Sequence, residues 1–482
     1  MRFLLCNWLQ ALARKARIGV LARREAMRTR KRGITLRLEA LEARTVPSAY
    51  IQTNLVSDIP GLALLTDANL KNPWGTSFAA DGSFSISDQK TNVSTLYAVH
   101  ESGVVAESPM VAIPTTATGT QGPTGQANNT TSSFLVNGTP ASIIYADLNG
   151  TISAWNSSAG TTAQVEATTA GAGYTGLNLQ STAAGDFLYA ANPKQGQVDV
   201  FDGSFHPVTL PAGAFVDPEL PAGKMVPFNV EDVNGQLYVA YALPGAPAVR
   251  RSAPEGAGAI GVFDTSGHFI KTFASGGKLA SPWGITVAPP SFGEFGGAVL
   301  VGNFSYAATE INAFDPTTGA YLGTLTDGNG NTLLKGENGL WDLTFGQGGN
   351  GGVPRTLYFV AGLNDETDGL FGAITPAPRP GIAPGGAGDT GQAAALGIAL
   401  TQGQPSPGAI VGNPAMGGAT GNLASGVGSD PTPAPAAMTG SEPTPVPAPR
   451  LSATTTGSAN QDSVDQLFAA LAASDDEAWN AW

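Results

Sequence analysis

A tryptophan that opens a strand-like segment recurs three times in this chain. The copies lie in Asn72–Gly75, Ser281–Gly284 and Gly339–Asp342. Further short apolar segments follow, such as Val299–Asn303, and then an alternating segment that ends in an aromatic residue and Asp, such as Ile311–Asp315. Short strands that repeat every roughly 40–50 residues are typical of β-propellers. The repeat therefore predicts an all-β propeller, in which a large part of the chain forms one ring.

Strand signals of this kind fill residues 50–375 and fall into six groups. The groups lie at 72–112, 134–166, 174–210, 226–274, 280–325 and 337–375. We therefore predict six blades, with seven as the alternative count. Segment 50–65 would add the outermost strand to the last blade and close the ring, which hides an otherwise exposed sheet edge. The three repeated tryptophans are expected to wedge between neighbouring blades, because large aromatic side chains dominate core packing.

Charge divides the 482-residue chain into two unlike parts. Residues 1–44 hold 12 of the 24 Lys and Arg side chains against 3 acidic ones, whereas the rest holds 12 basic and 34 acidic side chains. A body this acidic repels phosphate backbones, so nucleic acid is not an expected partner, whereas cations are attracted. No apolar run reaches the length of about 20 residues that a membrane-spanning helix needs, so no transmembrane segment is expected.

Four regions follow from composition. We predict a basic leader at 1–48, the propeller at 50–375, a disordered spacer at 376–460 and a short acidic amphipathic tail at 461–482. Residues 376–450 contain 15 Gly and 14 Pro, a composition that cannot bury enough apolar surface to form a core. Two alternatives stay open for the tail: it is a weakly helical solvated segment, or it is a peptide that docks into a partner.

Several residues with side-chain oxygens lie at or near the predicted starts of the innermost strands. Loops at these starts are expected to face the central funnel of a propeller. Carboxylate and amide oxygens are the ligands that Ca²⁺ prefers, so these residues predict a funnel site for calcium or another divalent ion. The alternative is that they bond to the backbone at the strand starts. The candidates are Asn72, Asn178, Asn229, Glu231, Asn338 and Asp342.

Other candidates for chemistry are weaker. His100, His206 and His268 fall in or beside turns and share no spacing typical of metal ligands. The acid-rich segments 327–331 and 364–368 place oxygen donors close together, as calcium loops do, but a polar turn explains each of them as well.

Motifs spread across 50–375 resemble a known family. It is a family of exported bacterial proteins of unknown function, first catalogued in genomes that encode exosortase and PEP-CTERM sorting, and the resemblance implies a six-bladed, NHL-like β-propeller. Leader segment 38–48 resembles the N-terminal sorting segment of many planctomycete surface proteins, which implies an extracytoplasmic location. The family-like motifs are Asn54–Gly61, Asn72–Gly75, Ser87–Asp88, Val93–Tyr97, Pro227–Val230, Gly235–Val239, Leu300–Phe304, Ile311–Gly319, Gly339–Trp341, Asn364–Glu366 and Gly369–Gly372.

Two classes of function are compatible with these features. The first is an exported binding or scaffold module of the cell envelope, whose ligand is a protein or glycan at the cell surface. The alternative is a metal-dependent hydrolase or lyase that uses the central funnel. Three or more oxygens that converge on the axis beside an open position would favour the enzyme, whereas a channel filled with apolar side chains would argue against it.

Overall fold

The structure is a computed structural model that describes residues 49–114, 122–334 and 339–378. The predicted leader, most of the spacer and the tail lie outside these residues. Within the described part of the chain, no helix has the length and apolar character required to cross a bilayer. Nearly all regular structure is β, as the sequence predicts.

The first three blades follow one another along the chain. Blade 1 has the sheet order β3-β4-β5-β6, blade 2 the order β7-β10-β11-β12 written from the inside outward, and blade 3 has only three strands, β13-β14-β15. Their bounds are β3 (Pro73–Phe78), β4 (Phe84–Asp88), β5 (Val93–His100), β6 (Gly103–Ala112), β7 (Pro123–Asn128), β10 (Ile143–Asp147), β11 (Thr151–Trp155), β12 (Gln164–Thr168), β13 (Gly176–Thr182), β14 (Gly185–Asn192) and β15 (Gln197–Asp202).

The last three blades complete the ring. Blade 4 has the order β16-β17-β18-β19, blade 5 the order β20-β21-β22-β23, and blade 6 is built on β24-β25-β26 with β1 and β2 added at its outer edge. Their bounds are β16 (Val226–Val233), β17 (Gln236–Ala242), β18 (Ala259–Phe263), β19 (Phe269–Ser275), β20 (Pro282–Val287), β21 (Val299–Asn303), β22 (Ile311–Phe314), β23 (Tyr321–Thr324), β24 (Leu340–Phe345), β25 (Leu357–Leu363), β26 (Asp368–Pro376), β1 (Tyr50–Ser57) and β2 (Leu65–Thr66).

The ring closes in two ways. Each inner strand packs on the inner strand of the next blade, and β24 returns to β3. At the outside, β1 pairs antiparallel with β26 from Tyr50↔Pro376 to Ser57↔Leu370, so the N-terminal strand completes the C-terminal blade. The predicted six blades and the predicted closing strand are both confirmed. This pairing covers the outer edge of β26, which would otherwise be an exposed sheet edge.

The predicted strand groups were wrong at two places. Blade 2 begins at Pro123, not at 134, because the polar inner strand β7 carries no apolar pattern that would announce it. Segment 134–140 instead holds a small hairpin of β8 (Leu135–Val136) and β9 (Thr139–Pro140). The last strand of blade 3 ends at Asp202, and only an isolated antiparallel bridge between Phe201 and Pro207 continues its outer edge, through bonds from Asp202 N to His206 O and from Val208 N to Val200 O.

The repeated tryptophans coincide with irregularities at the starts of inner strands. In β3 the pairing register shifts between Pro73 and Thr76, and in β20 it shifts between Pro282 and Ile285. Strand β24 shows the same shift between Leu340 and Leu343. A bulge of this kind adds one residue to one strand and re-aims its side chains. The repeated tryptophan therefore marks a bulged inner strand in blades 1, 5 and 6.

Little helix accompanies the sheets. The helix α1 (Pro247–Arg251) lies between β17 and β18, and Pro247 stands at its first turn, where a missing N–H costs nothing. Two single 3₁₀ turns occupy Ser157–Ala159 and Gly293–Phe295.

Candidate functional site

An aromatic cluster fills the axis where the inner strands begin. The Trp341 ring stacks on Trp74 at 3.5 Å and on Phe304 at 4.1 Å between centroids, and meets Trp283 edge-on at 5.7 Å. Trp283 Nε1 donates to the carbonyl of Thr175, two blades away, at 3.2 Å. The three tryptophans come from blades 1, 5 and 6. They therefore contact one another across neighbouring blades, as expected, but they do so on the axis, where they close the channel.

Each of the six inner strands contributes one residue to a first ring around the axis. On the three strands with a repeated tryptophan, this residue directly follows the tryptophan. In four blades this residue is glycine, because neighbouring inner strands approach each other closely there. A Cβ on Gly284 would lie 2.6 Å from the carbonyl oxygen of Trp341. Two blades depart from glycine and place a polar side chain in the ring. In blade order the ring is Gly75, Gly125, Gly176, Asn229, Gly284 and Asp342.

The two polar members of this ring bond to the next inner strand. Asn229 Nδ2 donates to the carbonyl of Trp283 at 2.9 Å. Asp342 Oδ2 accepts from Thr76 N at 2.7 Å and from Thr76 Oγ1 at 2.8 Å, and its Oδ1 accepts from Leu343 N at 2.7 Å. Asp342 thus joins the last blade to the first at the seam where the ring closes.

Two residues further along each inner strand, a second ring lines an axial cavity of about 570 Å³. The alternation of side chains along a strand returns these residues to the axial face. The turn residues Asn234 and Gln347, which follow two of the inner strands, also line the cavity. The second ring consists of Ser77, Ala127, Asn178, Glu231, Thr286 and Thr344.

The cavity therefore lies along the later halves of the inner strands. The prediction that a site would gather at the strand starts was wrong in this respect, because the aromatic cluster occupies that level of the axis. The candidates Asn178, Glu231 and Asp342 do line the cavity. Asn229 lies fully buried beneath it and contacts Glu231.

Glu231 is the acidic centre of the second ring. Burial raises the pKa of its carboxyl well above the usual range, and the negative charge of Asp342 raises it further. Hydrogen bonds from Asn229 and Asn178 act in the opposite direction, and the Asn229 Nδ2–Glu231 Oε1 distance is 3.2 Å. Two carboxylates that share a low-dielectric cavity repel each other, so a positive charge between them would be favoured.

Asp342 and Asp232 complete the acidic lining. Burial raises the pKa of Asp342, while the hydrogen bonds from Thr76 and Leu343 oppose the rise. Asp232 points to the more exposed side, where it accepts from Gly235 N at 2.8 Å. Among the described residues that line the cavity, none is Lys, Arg or His.

The predicted site residue Asn72 does not line the cavity. Asn72 is fully buried at the aromatic cluster, where its Oδ1 accepts from Trp341 Nε1 at 3.1 Å and its Nδ2 donates to Gln89 Oε1 at 3.1 Å. Its backbone, with φ of 45°, is in the left-handed region that Asn tolerates better than most residues. Asn72 therefore holds the Trp341 ring of the aromatic cluster in place. Asn338 lies outside the described residues.

The weaker sequence candidates form turns. Asp327 Oδ1 accepts from Asn329 N and Asn331 N at 2.8 and 2.9 Å, so the carboxylate closes its own exposed turn. In segment 364–368, Glu366 is fully buried against Arg251. His100, His206 and His268 are all exposed. In the ranges that the structure describes, no three His, Cys, Asp or Glu residues are grouped so as to hold a metal ion.

Sequence reasoning missed three hydroxyl residues of the second ring, although a signal for them exists. Ser77, Thr286 and Thr344 each stand three residues after one of the repeated tryptophans. Aligning the three copies on tryptophan would have placed a hydroxyl at the same level of the axis in blades 1, 5 and 6. Asn178 and Glu231 also belong to the second ring, but their blades lack the repeated tryptophan on which the copies would be aligned.

Fold and site together define a six-bladed β-propeller with an acidic axial cavity that aromatic side chains close at one end. No family model matches the chain. It is 29% identical over 342 residues to an uncharacterised protein of Acanthamoeba polyphaga mimivirus, and the match covers 66% of this chain and 78% of the relative. A second uncharacterised mimivirus protein is 30% identical over 241 residues, which is 48% of this chain and 42% of that protein. These two relatives are viral, so they support neither the bacterial family nor the planctomycete origin that the sequence motifs implied.

Solved structures also resemble the chain at low identity. A structural genomics protein of unknown function from Bacteroides thetaiotaomicron aligns with a TM-score of 0.41 and 13% identity, over 67% of this chain and 76% of that one. A streptogramin B lyase aligns with a TM-score of 0.40 and 13% identity, over 68% of this chain and 98% of that one. The six-bladed architecture stated above follows from the sheet order of this chain itself.

Proposed function

We propose that the protein is an exported binding module of the cell envelope and that it takes a positively charged group into its axial cavity. The lining supports this ligand class, because Glu231, Asp232 and Asp342 border a cavity of about 570 Å³ and none of the described lining residues is basic. Sites for small molecules commonly enclose ~300–1,000 Å³. A cleft lined by charges of one sign attracts ligands of the opposite sign.

The rest of the lining fits a group that is polar as well as charged. The hydroxyls of Ser77, Thr286 and Thr344 border the cavity and can both donate and accept hydrogen bonds. A protein or glycan ligand at the cell surface would present such a group as a lysine, an arginine or an amino sugar. A binding module needs no more than this recognition.

Calorimetric titration of the protein with glucosamine, lysine methyl ester and glucose tests the ligand class. We expect the two amines to bind and the neutral sugar not to bind. The double variant Glu231→Gln/Asp342→Asn should weaken amine binding by about tenfold or more, since hydrogen bonds to charged groups contribute ~1.5–3 kcal/mol. Glu107→Gln, which removes an exposed carboxylate on β6 outside the cavity, is the matched control. Equal binding of glucose and glucosamine would contradict the proposal.

Export is supported by the leader. Residues 1–44 concentrate half of the basic side chains of the chain, and segment 38–48 resembles a planctomycete sorting segment. A fusion of residues 1–48 to a reporter, followed by cell fractionation, tests this part. We expect the fusion outside the cytoplasm, and a fusion without residues 38–48 inside it. A reporter that stays in the cytosol in both cases would contradict the proposed export to the cell envelope.

The alternative predicted from the sequence, a metal-dependent hydrolase or lyase, would use the same cavity. Such an enzyme needs a group beside the substrate that transfers protons. None of the three histidines lines the cavity, whereas the lining carboxyls of Glu231, Asp232 and Asp342 all have a pKa that burial raises. Recognition of a charged group needs only the lining that is present, so binding is the function that we propose.

A further inference from the structure

The carboxylates of Asp342 and Glu231 differ in the hydrogen bonds that they accept. Asp342 accepts three hydrogen bonds at 2.7–2.8 Å, all from backbone or hydroxyl groups of Thr76 and Leu343. Glu231 receives only amide donors, from Asn229 at 3.2 Å and from Asn178. A carboxylate offers about four lone-pair positions, so acceptor capacity remains on both groups along the cavity.

An amide oxygen next to Glu231 has no donor. Asn178 uses its amide nitrogen for Glu231, and its Oδ1 is buried without a hydrogen-bond partner among the described residues. The Oδ1 of the fully buried Asn229 is likewise without a donor. A buried acceptor that makes no hydrogen bond costs ~1–3 kcal/mol. A cation is the partner that could satisfy such an oxygen and the two carboxylates at the same time.

The position of Asp342 in the first ring also points to a cation in the cavity. Four blades carry glycine at this level, so a side chain there is not needed to pack the inner strands. Asp342 introduces a carboxylate on the axial side at 7% exposure and lines the cavity together with Glu231 and Asn178. These three residues come from blades 3, 4 and 6, which places oxygen donors on more than one side of the axis.

We infer that the axial cavity holds a divalent cation of the calcium class on the carboxylates of Glu231 and Asp342 and on Oδ1 of Asn178. This inference rests on the proposed function and names the positive charge that the cavity receives. Ca²⁺ takes 6–8 oxygen ligands in flexible geometry, so three side chains leave positions for waters or for oxygens of a bound ligand. Mg²⁺ demands nearly ideal octahedral geometry and gives up its waters reluctantly, so it should bind more weakly.

Asn229 acts here as a positioning residue. Its amide nitrogen lies between Glu231 Oε1 at 3.2 Å and the Trp283 carbonyl at 2.9 Å, and so ties the carboxylate to the neighbouring blade. A Cβ on Gly176 would lie 2.0 Å from Asn229 Oδ1, which shows that this side chain is held tightly between blades 3 and 4. The site is therefore preformed by packing.

Calorimetric titration of the metal-stripped protein with CaCl₂ tests the inference, with MgCl₂ and NaCl as comparisons. We expect Ca²⁺ to bind with a Kd at or below about 1 mM, the weak end of calcium modules. Glu231→Gln and Asp342→Asn should each weaken binding by about tenfold or more, because each removes a charged ligand. Glu107→Gln, at an exposed carboxylate on β6 outside the cavity, should change the Kd by less than about twofold.

A gain-of-affinity variant keeps the test sharp if a loss variant unfolds. Asn178→Asp replaces a neutral oxygen ligand by a charged one, so Ca²⁺ should bind about tenfold more tightly and should raise the Tm more than in the wild type. A residue with a purely structural role would show no such gain. Circular dichroism of each variant without metal checks that the fold is retained.

The outcomes separate this inference from the proposed function. Calcium binding that Glu231→Gln, Asp342→Asn and Asn178→Asp leave unchanged would overturn the site. Amine binding without any calcium binding would overturn the cation site and leave the proposed function standing. Calcium binding that responds to these variants, without amine binding, would support the site and remove the organic ligand class from the proposed function.

Discussion

Arg251 and Glu366 form a bidentate ion pair between loops of blades 4 and 6. Arg251 Nε lies 3.2 Å from Glu366 Oε1, and Arg251 Nη2 lies 2.5 Å from Glu366 Oε2. The Glu366 side chain is fully buried, whereas the Arg251 side chain keeps 24% exposure. Glu366 also has a left-handed backbone with φ of 64°, a conformation that non-glycine residues rarely adopt. The ion pair therefore holds a strained loop beside the aromatic cluster.

The first prediction concerns this pair. Arg251→Met should lower the free energy of unfolding by ~3–5 kcal/mol, because it leaves a buried carboxylate without a partner. Adding Glu366→Gln should recover part of the loss, since the unpaired charge is then absent. Urea unfolding of the wild type, the two single variants and the double variant measures both effects. Losses that simply add in the double variant would contradict the coupling. The control is Glu255→Gln, in an exposed pair with Lys278, which should cost less than ~1 kcal/mol.

The second prediction concerns the aromatic cluster. Trp341→Ala should destabilise the protein by ~3–5 kcal/mol, the usual cost of deleting a large buried aromatic side chain. Trp341 contacts the rings of Trp74, Phe228, Trp283 and Phe304, so the cavity left behind cannot collapse without moving neighbouring blades. Thermal unfolding measures the loss, with Leu322→Ala, at a side chain that is 51% exposed, as the control. Equal melting temperatures for the two variants would show that the cluster does not hold the ring together.

The third prediction concerns the glycine ring. Gly284→Ala should cost ~1–3 kcal/mol or more, because the new Cβ would lie 2.6 Å from the carbonyl oxygen of Trp341 and force two inner strands apart. Gly328→Ala is the matched control, since its Cβ would meet only the Ala49 side chain at 3.7 Å. Denaturant unfolding of both variants compares the costs. A neutral Gly284→Ala would mean that the inner strands can separate at this level.

The fourth prediction concerns pH. Burial raises the pKa of Asp147 to about 7 from an ordinary value of 3.8, although backbone bonds from Thr151 and Asn149 oppose the rise. The native state therefore binds a proton more tightly than the unfolded state does. The contribution of this group to stability is fully present below about pH 4 and is lost as the pH rises to about 7, by at most roughly 4 kcal/mol.

Asp147→Asn tests the sign of this effect. The amide oxygen can still accept the bonds from Asn149 N and Thr151 N, which are 3.1 and 2.9 Å long in the wild type. The variant cannot ionise, so it should lose less stability than the wild type between pH 5 and pH 8. Unfolding free energies at the two pH values give the comparison. Identical pH dependence of the two proteins would contradict the raised pKa.

Sequence reasoning reached the fold through local signals. The Pro-Trp-Gly copies, the aromatic-Asp turns and the early strand at Tyr50 are short-range patterns, and they were enough to predict six blades and a closing strand. The inner strand Pro123–Asn128 escaped because its residues are polar or small and carry no hydrophobic period. Its place is set by the two inner strands beside it: Gly125 packs against β13, and Gly75 of β3 packs against the strand itself, each without room for a Cβ.

The chemistry of Asn72, Glu231 and Asp342 could be read from the chain, but their roles could not. All three carry side-chain oxygens on or just before a predicted inner strand, so the sequence alone determined that polar groups would gather near the axis. Only the tertiary structure decided that three tryptophans occupy the first level of that axis and that the cavity lies beyond them. The reason is physical: the level of a side chain depends on bulges and on the stagger between blades, which arise from contacts between residues hundreds of positions apart.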